Sequence, residues 1–216
     1  LPHVVQAIAA AGHEIASHGM EHQRVDHMNA AQFLVDARTS KALLEEVSGQ
    51  VVVGYRAPNY SMGRDNLWAH GVLAEAGYRY SSSIYPIRHD HYGMAESPVT
   101  PWHPHPQGVV EIPVAALPWW GVRVPVGGGG YFRFYPYFIS RWLLQRFNQQ
   151  HGSAVFFIHP WELDATQPVV MDLPWRSRFR HYLNLQRTQD RLKHLLDDFH
   201  WTSIQQLHGH RWQVKR

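Results

Sequence analysis

The sequence predicts an α/β fold in which parallel strands are joined by helices, and three observations predict it. Amphipathic stretches of helical length recur along the chain, several of them closed by a glycine. Short apolar runs of strand type alternate with them, which is the order expected of parallel strands connected by helices. Histidine, arginine and serine fall just after successive predicted strands, where sheets of this kind collect their chemistry. A (β/α) barrel and an open doubly wound sheet both satisfy the pattern.

Residues 2–11 read as a helix, with Pro2 at its start and Gly12 as its stop. Residues 13–17 then read as a short strand. Asn29 caps an amphipathic helix that runs to residue 47 and ends at Gly49. Residues 51–55 form a β-branched strand. A helix over 66–76 closes at Gly77, and a strand over 78–82 follows it. Further on, a helix over 137–150 closes at Gly152, a buried strand covers 154–159, a helix covers 188–199 and a last short strand covers 201–204. Residues 86–136 break the rhythm. They are rich in proline, glycine and aromatics and read as an elaborated loop region with short β-hairpins. The four glycines at 127–130 lack the Lys and Ser/Thr of a phosphate loop, and no helix start is evident among them, so they read as a flexible or tightly turning loop. Residues 168–182 look equally irregular. No repeat or linker divides the chain, which predicts a single domain over 1–216.

Composition narrows the function classes. A hydrophobic fraction of 44% and a charged fraction of 17% in 216 residues are globular values. The absence of cysteine excludes disulfides and thiolate chemistry. A net charge of +3, scattered rather than striped, argues against a nucleic-acid partner. No apolar run reaches the roughly 18 residues of a membrane span. No secretory signal opens the sequence, and the compartment stays open between cytoplasm and periplasm or cell envelope. The 17 His, 9 Trp and 10 Tyr suit metal and proton chemistry and the stacking of sugar rings.

His18 and His22 stand four apart in Ser17-His18-Gly19-Met20-Glu21-His22. On a helical turn that spacing puts two imidazoles on one face, where they can share a divalent metal such as Zn. In a chain this rich in histidine the spacing also arises by chance, so two surface histidines are the alternative. Arg56, in Arg56-Ala57-Pro58, ends a strand and can orient a carboxylate through two parallel hydrogen bonds; a surface ion pair is its alternative. His159 ends the run Val155-Phe156-Phe157-Ile158 and precedes Pro160-Trp161-Glu162. A histidine delivered there suits a general acid, and a buried, satisfied histidine is the other reading. Glu162 and Asp164 are further candidates for tuning or binding. The pairs His89/His91, His103/His105 and His208/His210 read as incidental.

These stretches together resemble the polysaccharide deacetylases of carbohydrate esterase family 4, the NodB homology domain. The resemblance is carried by residues 11–22, by Gly54-Tyr55-Arg56-Ala57-Pro58 and by Phe156-Phe157-Ile158-His159. Residues 80–90, Gly128-Gly129-Gly130-Tyr131-Phe132-Arg133, His159-Pro160-Trp161-Glu162 and Arg178-Phe179-Arg180-His181-Tyr182 resemble the branch found in exopolysaccharide loci linked to exosortase sorting. The resemblance implies a distorted (β/α) barrel and a bacterial hydrolase that removes N-acetyl groups from an amino-sugar polysaccharide. It implies His18 and His22 as ligands of a divalent metal, usually Zn. It implies His159 as general acid, Arg56 as the residue that orients the base, and Asn59, after Pro58, as the donor of an oxyanion N–H. Trp161 would meet the substrate. The family's first motif, with two aspartates serving as general base and third metal ligand, lies upstream of the helix that begins at Pro2. The expectation is therefore a barrel lacking its first strand or strands, with metal weakly held, activity reduced or absent, and a further copy of the chain covering the exposed edge. Ser81 stands where this branch usually has Asp. A catalytically inactive carbohydrate-binding or scaffold domain is the rival reading, and a metal-dependent amidase acting on a non-sugar amide is another.

Overall fold

A computed structural model of the chain describes residues 1–172 and 174–209. Its residues group into two compact units, Leu1–Pro113 together with the segment from Thr202, and Val114–Trp201.

The first unit opens with α1 (Pro2–Ala10), which starts on a proline as read from the sequence. The long α2 (Ala30–Ser48) forms where Asn29 caps it. The Asn29 side chain accepts from the Gln32 N–H at 2.9 Å, and Gln32 accepts in return from the Asn29 N–H at 3.0 Å, so two otherwise orphaned donors are satisfied. Gly49, at φ 68, ends the helix in the left-handed conformation that glycine adopts most readily. One face of α2 buries Phe33, Ala37 and Ser40. Phe33 meets Tyr55 and Trp68 edge-on, with ring centroids 5.6 Å and 6.1 Å away.

The strands of this unit are short. β1 (Gly54–Tyr55) lies parallel to β2 (Tyr80–Ser81), and β2 lies parallel to β3 (Val110–Glu111). Ser17 adds one parallel bridge to Tyr55. Between β1 and β2 runs α3 (Ala69–Glu75), preceded by a 3-10 turn over Arg64–Asn66. Gly54 is required where it stands, because a Cβ there would overlap the Tyr80 side chain on the neighbouring strand. The Tyr80 hydroxyl donates to one Glu14 carboxylate oxygen at 2.8 Å, and the other oxygen accepts from the Gln205 N–H at 2.9 Å.

The second unit begins with an antiparallel hairpin, β4 (Ala116–Trp119) and β5 (Val122–Pro125). Its two-residue turn, Trp120 at φ 46 and Gly121 at φ 80, has the positive φ pair of hairpin turns. There follow α4 (Gly129–Phe134), α5 (Tyr137–His151), α6 (Trp175–Tyr182) and α7 (Leu185–Asp198). The short α8 (Ile204–His208) belongs to the first unit.

Several expectations change. Residues 13–17 contribute one bridge at Ser17 rather than a strand. Residues 154–159 carry no assigned strand, and Val155 O accepts from the Ala115 N–H at 3.2 Å. The last expected strand, 201–204, is replaced by an irregular stretch leading into α8. The glycine run contains the start of α4 at Gly129, and residues 175–182 are helical. The fold is mixed α/β. Among the described residues its strands form an open three-stranded sheet and a hairpin, with no closed barrel. None of the described helices is long and apolar enough to cross a membrane.

Candidate functional site

Parallel strands place the residues that follow them at one end of the sheet. Ser17, Tyr55, Ser81 and Glu111 lie in register across the first unit, so His18, Arg56 and Ser82 emerge together. His18 Nδ1 donates to the Arg56 carbonyl at 2.7 Å. A carbonyl can only accept, so Nδ1 carries the proton and Nε2 the lone pair. The His22 ring stands edge-on to that of His18, with centroids 5.0 Å apart. Both imidazoles are exposed.

No helical turn creates this pairing, contrary to the expectation from the four-residue spacing. The segment is irregular, and Gly19 at φ 81 and His22 at φ 53 bend it. Asp36, from α2, holds the bend, because its carboxylate accepts from the Met20 N–H at 3.1 Å and the Glu21 N–H at 3.3 Å. Asn59 and Tyr60, in the 3-10 turn after Ala57, lie at φ 54 and 50. Three non-glycine residues in the left-handed region, His22 of the pair together with Asn59 and Tyr60, thus lie in the two segments that carry the histidines and Arg56. Such a conformation costs about 1–3 kcal/mol at each position and tends to persist where geometry matters. Pro58 is buried and Asn59 is exposed.

Arg56 does not meet a carboxylate among its described hydrogen bonds. Its Nε and Nη2 donate to the carbonyl and the hydroxyl of Ser82, each at 2.8 Å, and its guanidinium stands 5.7 Å from the Tyr60 ring centre. Beneath this lies a pair that the sequence reading missed. The buried Glu111 accepts from the Ser83 and Ile84 N–H groups at 2.8 Å and pairs with the buried His70 at 2.9 Å. Ser83 Oγ accepts in turn from the Ala57 N–H at 2.9 Å. Its only sequence signal is a lone carboxylate inside the apolar run Val109-Val110-Glu111-Ile112.

In the second unit, His159 and Trp161 come together. His159 is 51% exposed, and its Nδ1 donates to Glu162 Oε1 at 2.8 Å. Glu162 is buried and also accepts from the His159 N–H at 3.0 Å and from Arg133 Nε at 2.8 Å. Burial opposes ionisation of its carboxyl, but the hydrogen bonds from His159 and Arg133 outweigh it and hold Glu162 below the usual carboxylate range. The Trp161 ring lies nearly parallel to His159 on one hand, at 5.8 Å, and to His181 on the other, at 4.2 Å. Burial, with the Arg133 charge, lowers the pKa of His181. Asp164 bonds Thr166 within its own loop.

The two imidazoles of the first unit fit a divalent cation as a donor set: one tautomer is fixed by a carbonyl, the usual support for a metal-ligating histidine. Among the described residues no group of three or more metal-binding side chains forms. The His89 and His91 rings lie 5.9 Å apart, and His89 stacks on Tyr92. His210 lies outside the described residues.

Two family models match successive parts of the chain, and they meet inside the first unit, between residues 81 and 82. Residues 1–81 match the polysaccharide deacetylase family, and residues 82–209, more than half of the chain, match a domain of unknown function, DUF3473. No curated protein matches. Among solved structures, one assigned as a polysaccharide deacetylase from Mycobacterium smegmatis is 20% identical, with a TM-score of 0.57 over 97% of this chain and 66% of that one. PuuE allantoinase is 18% identical, with a TM-score of 0.57 over 100% of this chain and 64% of that one. At these identities the likeness is one of fold, and the chain spans just under two thirds of both proteins. The chain belongs to the DUF3473 family, and its residues 1–81 are similar to polysaccharide deacetylases.

Proposed function

We propose that the chain acts as a metal-dependent hydrolase that removes N-acetyl groups from an amino-sugar polysaccharide. The observation that carries this reading is the His18–His22 pair with the His18 tautomer set by Arg56 O, inside the segment that matches the deacetylase family. In this reading His18 and His22 hold a divalent metal, with Zn the favoured ion for imidazole ligands. The bound ion supplies Lewis-acid polarisation of the acetyl carbonyl. The exposed backbone at Asn59, next to Pro58, donates an N–H to the oxygen on which charge develops. Arg56 sets the His18 tautomer through its carbonyl, and its guanidinium would orient a carboxylate base to take the proton of the attacking water. His159, its Nδ1 proton held by Glu162, gives a proton from Nε2 to the departing amine. Trp161, stacked beside His159, meets the substrate.

Zinc content and acetate release from an acetylated amino-sugar oligomer test the proposal. The native chain should bind zinc weakly and release acetate at a low rate. The double change His18→Gln/His22→Gln should abolish zinc binding and turnover. His159→Gln should keep the zinc and slow turnover by about 10²–10⁴-fold. Acetate release that survives the loss of both histidines would sink the proposal. Polymer binding without acetate release would make the chain a carbohydrate-binding domain, and hydrolysis confined to small cyclic amides would make it an amidase of another kind.

A further inference from the structure

Arg133 is the least accessible cation of the second unit to carry three described partners. Only 2% of it is exposed, yet nothing in the assigned roles above uses it. Its Nε donates to Glu162 at 2.8 Å, and its Nη1 donates to the His181 carbonyl at 2.8 Å and the Leu183 carbonyl at 2.9 Å. Its guanidinium also stands 5.1 Å from the Trp161 ring centre. One planar group therefore ties together both histidines that flank Trp161: the His159 imidazole through the Glu162 carboxylate, and His181 through its backbone carbonyl. The anchor is itself fixed. Asn184 Nδ2 donates to the Arg133 carbonyl at 2.7 Å, and Arg191 Nη1 donates to the same carbonyl at 3.1 Å.

A buried ion pair is an expensive way to hold a fold together. Desolvating both charges costs about as much as their attraction returns, and apolar residues of similar volume often replace such a pair at no loss of stability. What the apolar pair cannot reproduce is direction. The Glu162 carboxylate must accept from His159 Nδ1, and Arg133 fixes which way that carboxylate faces. A histidine whose Nδ1 is committed to donation presents Nε2 outward for proton exchange.

We infer that Arg133 and Glu162 are positioning residues for His159: together they hold its imidazole as the Nδ1–H tautomer and aim Nε2 at the solvent-facing side. The inference assigns a role to the segment matched by the domain of unknown function, since Arg133, His159, Glu162 and His181 all lie within it. It rests on the proposed function only for what Nε2 then does; the tautomer itself is a property of the free protein.

The test uses the full chain labelled with 15N at histidine, with long-range 1H–15N correlation spectra recorded at about pH 9, well above the ordinary imidazole range. His159→Gln assigns the His159 signals. In the native chain His159 should show a protonated Nδ1 and an unprotonated Nε2. The double variant Arg133→Met/Glu162→Leu should unfold near the native temperature and yet lose the Nδ1–H signature. Its turnover of acetylated oligomer should fall by about 10²-fold or more, while bound zinc is unchanged. A native His159 found mainly as Nε2–H would overturn the inference, as would a double variant that keeps the Nδ1–H form. If that double variant fails to fold, the native spectrum decides by itself, because the Nδ1–H or Nε2–H form of His159 is read there directly. Correct tautomers in a chain that releases no acetate would uphold the positioning role and reject the deacetylase reading instead.

Discussion

Gly129 shows how narrowly a single residue can be constrained. A Cβ at this position would overlap the Glu162 carboxylate. Gly129→Ala must therefore push Glu162 away from His159 or distort the start of α4, and it should lower stability by about 1–3 kcal/mol in urea denaturation, the ordinary cost of overpacking. Arg56 and His159 could be singled out in the sequence because each follows an apolar run, and His18 because it stands four residues before His22. Their supports could not. Arg133 lies 29 residues from Glu162 in sequence, and Glu111 lies 28 from the Ser83 backbone it holds. No local pattern reports such a pairing, since the partner is chosen by the fold. Asp36, which holds the bend between His18 and His22, is hidden for the same reason inside an ordinary amphipathic helix.

Helices were far more legible than strands. α2 was expected to end at 47 and ends at Ser48, and α5 was expected at 137–150 and covers Tyr137–His151. Both carry their own signals: a capping side chain or proline at the start and a glycine at the end. A strand has no such local closure, because its hydrogen bonds belong to a neighbour elsewhere in the chain. Residues 154–159 have the composition of a buried strand and carry no strand ladder. The cap of α2 is the part of this that mutation can weigh. Asn29→Ala removes the acceptor for the Gln32 N–H and should cost about 0.5–2 kcal/mol. Differential scanning calorimetry should read it as a lower unfolding temperature. An unchanged transition would mean that packing of Phe33, Ala37 and Ser40 alone sets the helix start.

For the molecule as a whole, pH should act in two separate windows. Burial lowers the pKa of His151, aided by the Arg123 charge, and likewise that of His181. The unfolded chain then binds protons that the native chain refuses, so stability is full above the ordinary histidine value of 6.5 and declines as pH falls through it. The second window belongs to carboxylates. Hydrogen bonds from Arg24 and Lys41 lower Asp26 and Glu45, and Glu162 is lowered against its own burial. Their contribution is complete above about pH 4.5 and is lost as pH falls through their lowered folded values. Thermal unfolding followed by circular dichroism from pH 8 down to pH 3, within the ordinary range of these groups, should show midpoints falling in both windows, with His181→Gln flattening the upper one. A midpoint that rises on acidification through the upper window would contradict the sign worked out here.

The Glu14 carboxylate that joins Tyr80 to Gln205 has a consequence for how the chain is made. Gln205 lies 191 residues after Glu14, so this link can close only after the whole of residues 114–201 has been synthesised. Residues 114–201 are one uninterrupted stretch, whereas the first unit takes up the chain again at Thr202. Domains usually complete themselves in the order in which they leave the ribosome. Here the segment synthesised second has all its residues before the first unit does, and the Glu14 latch must wait for Gln205 on its far side.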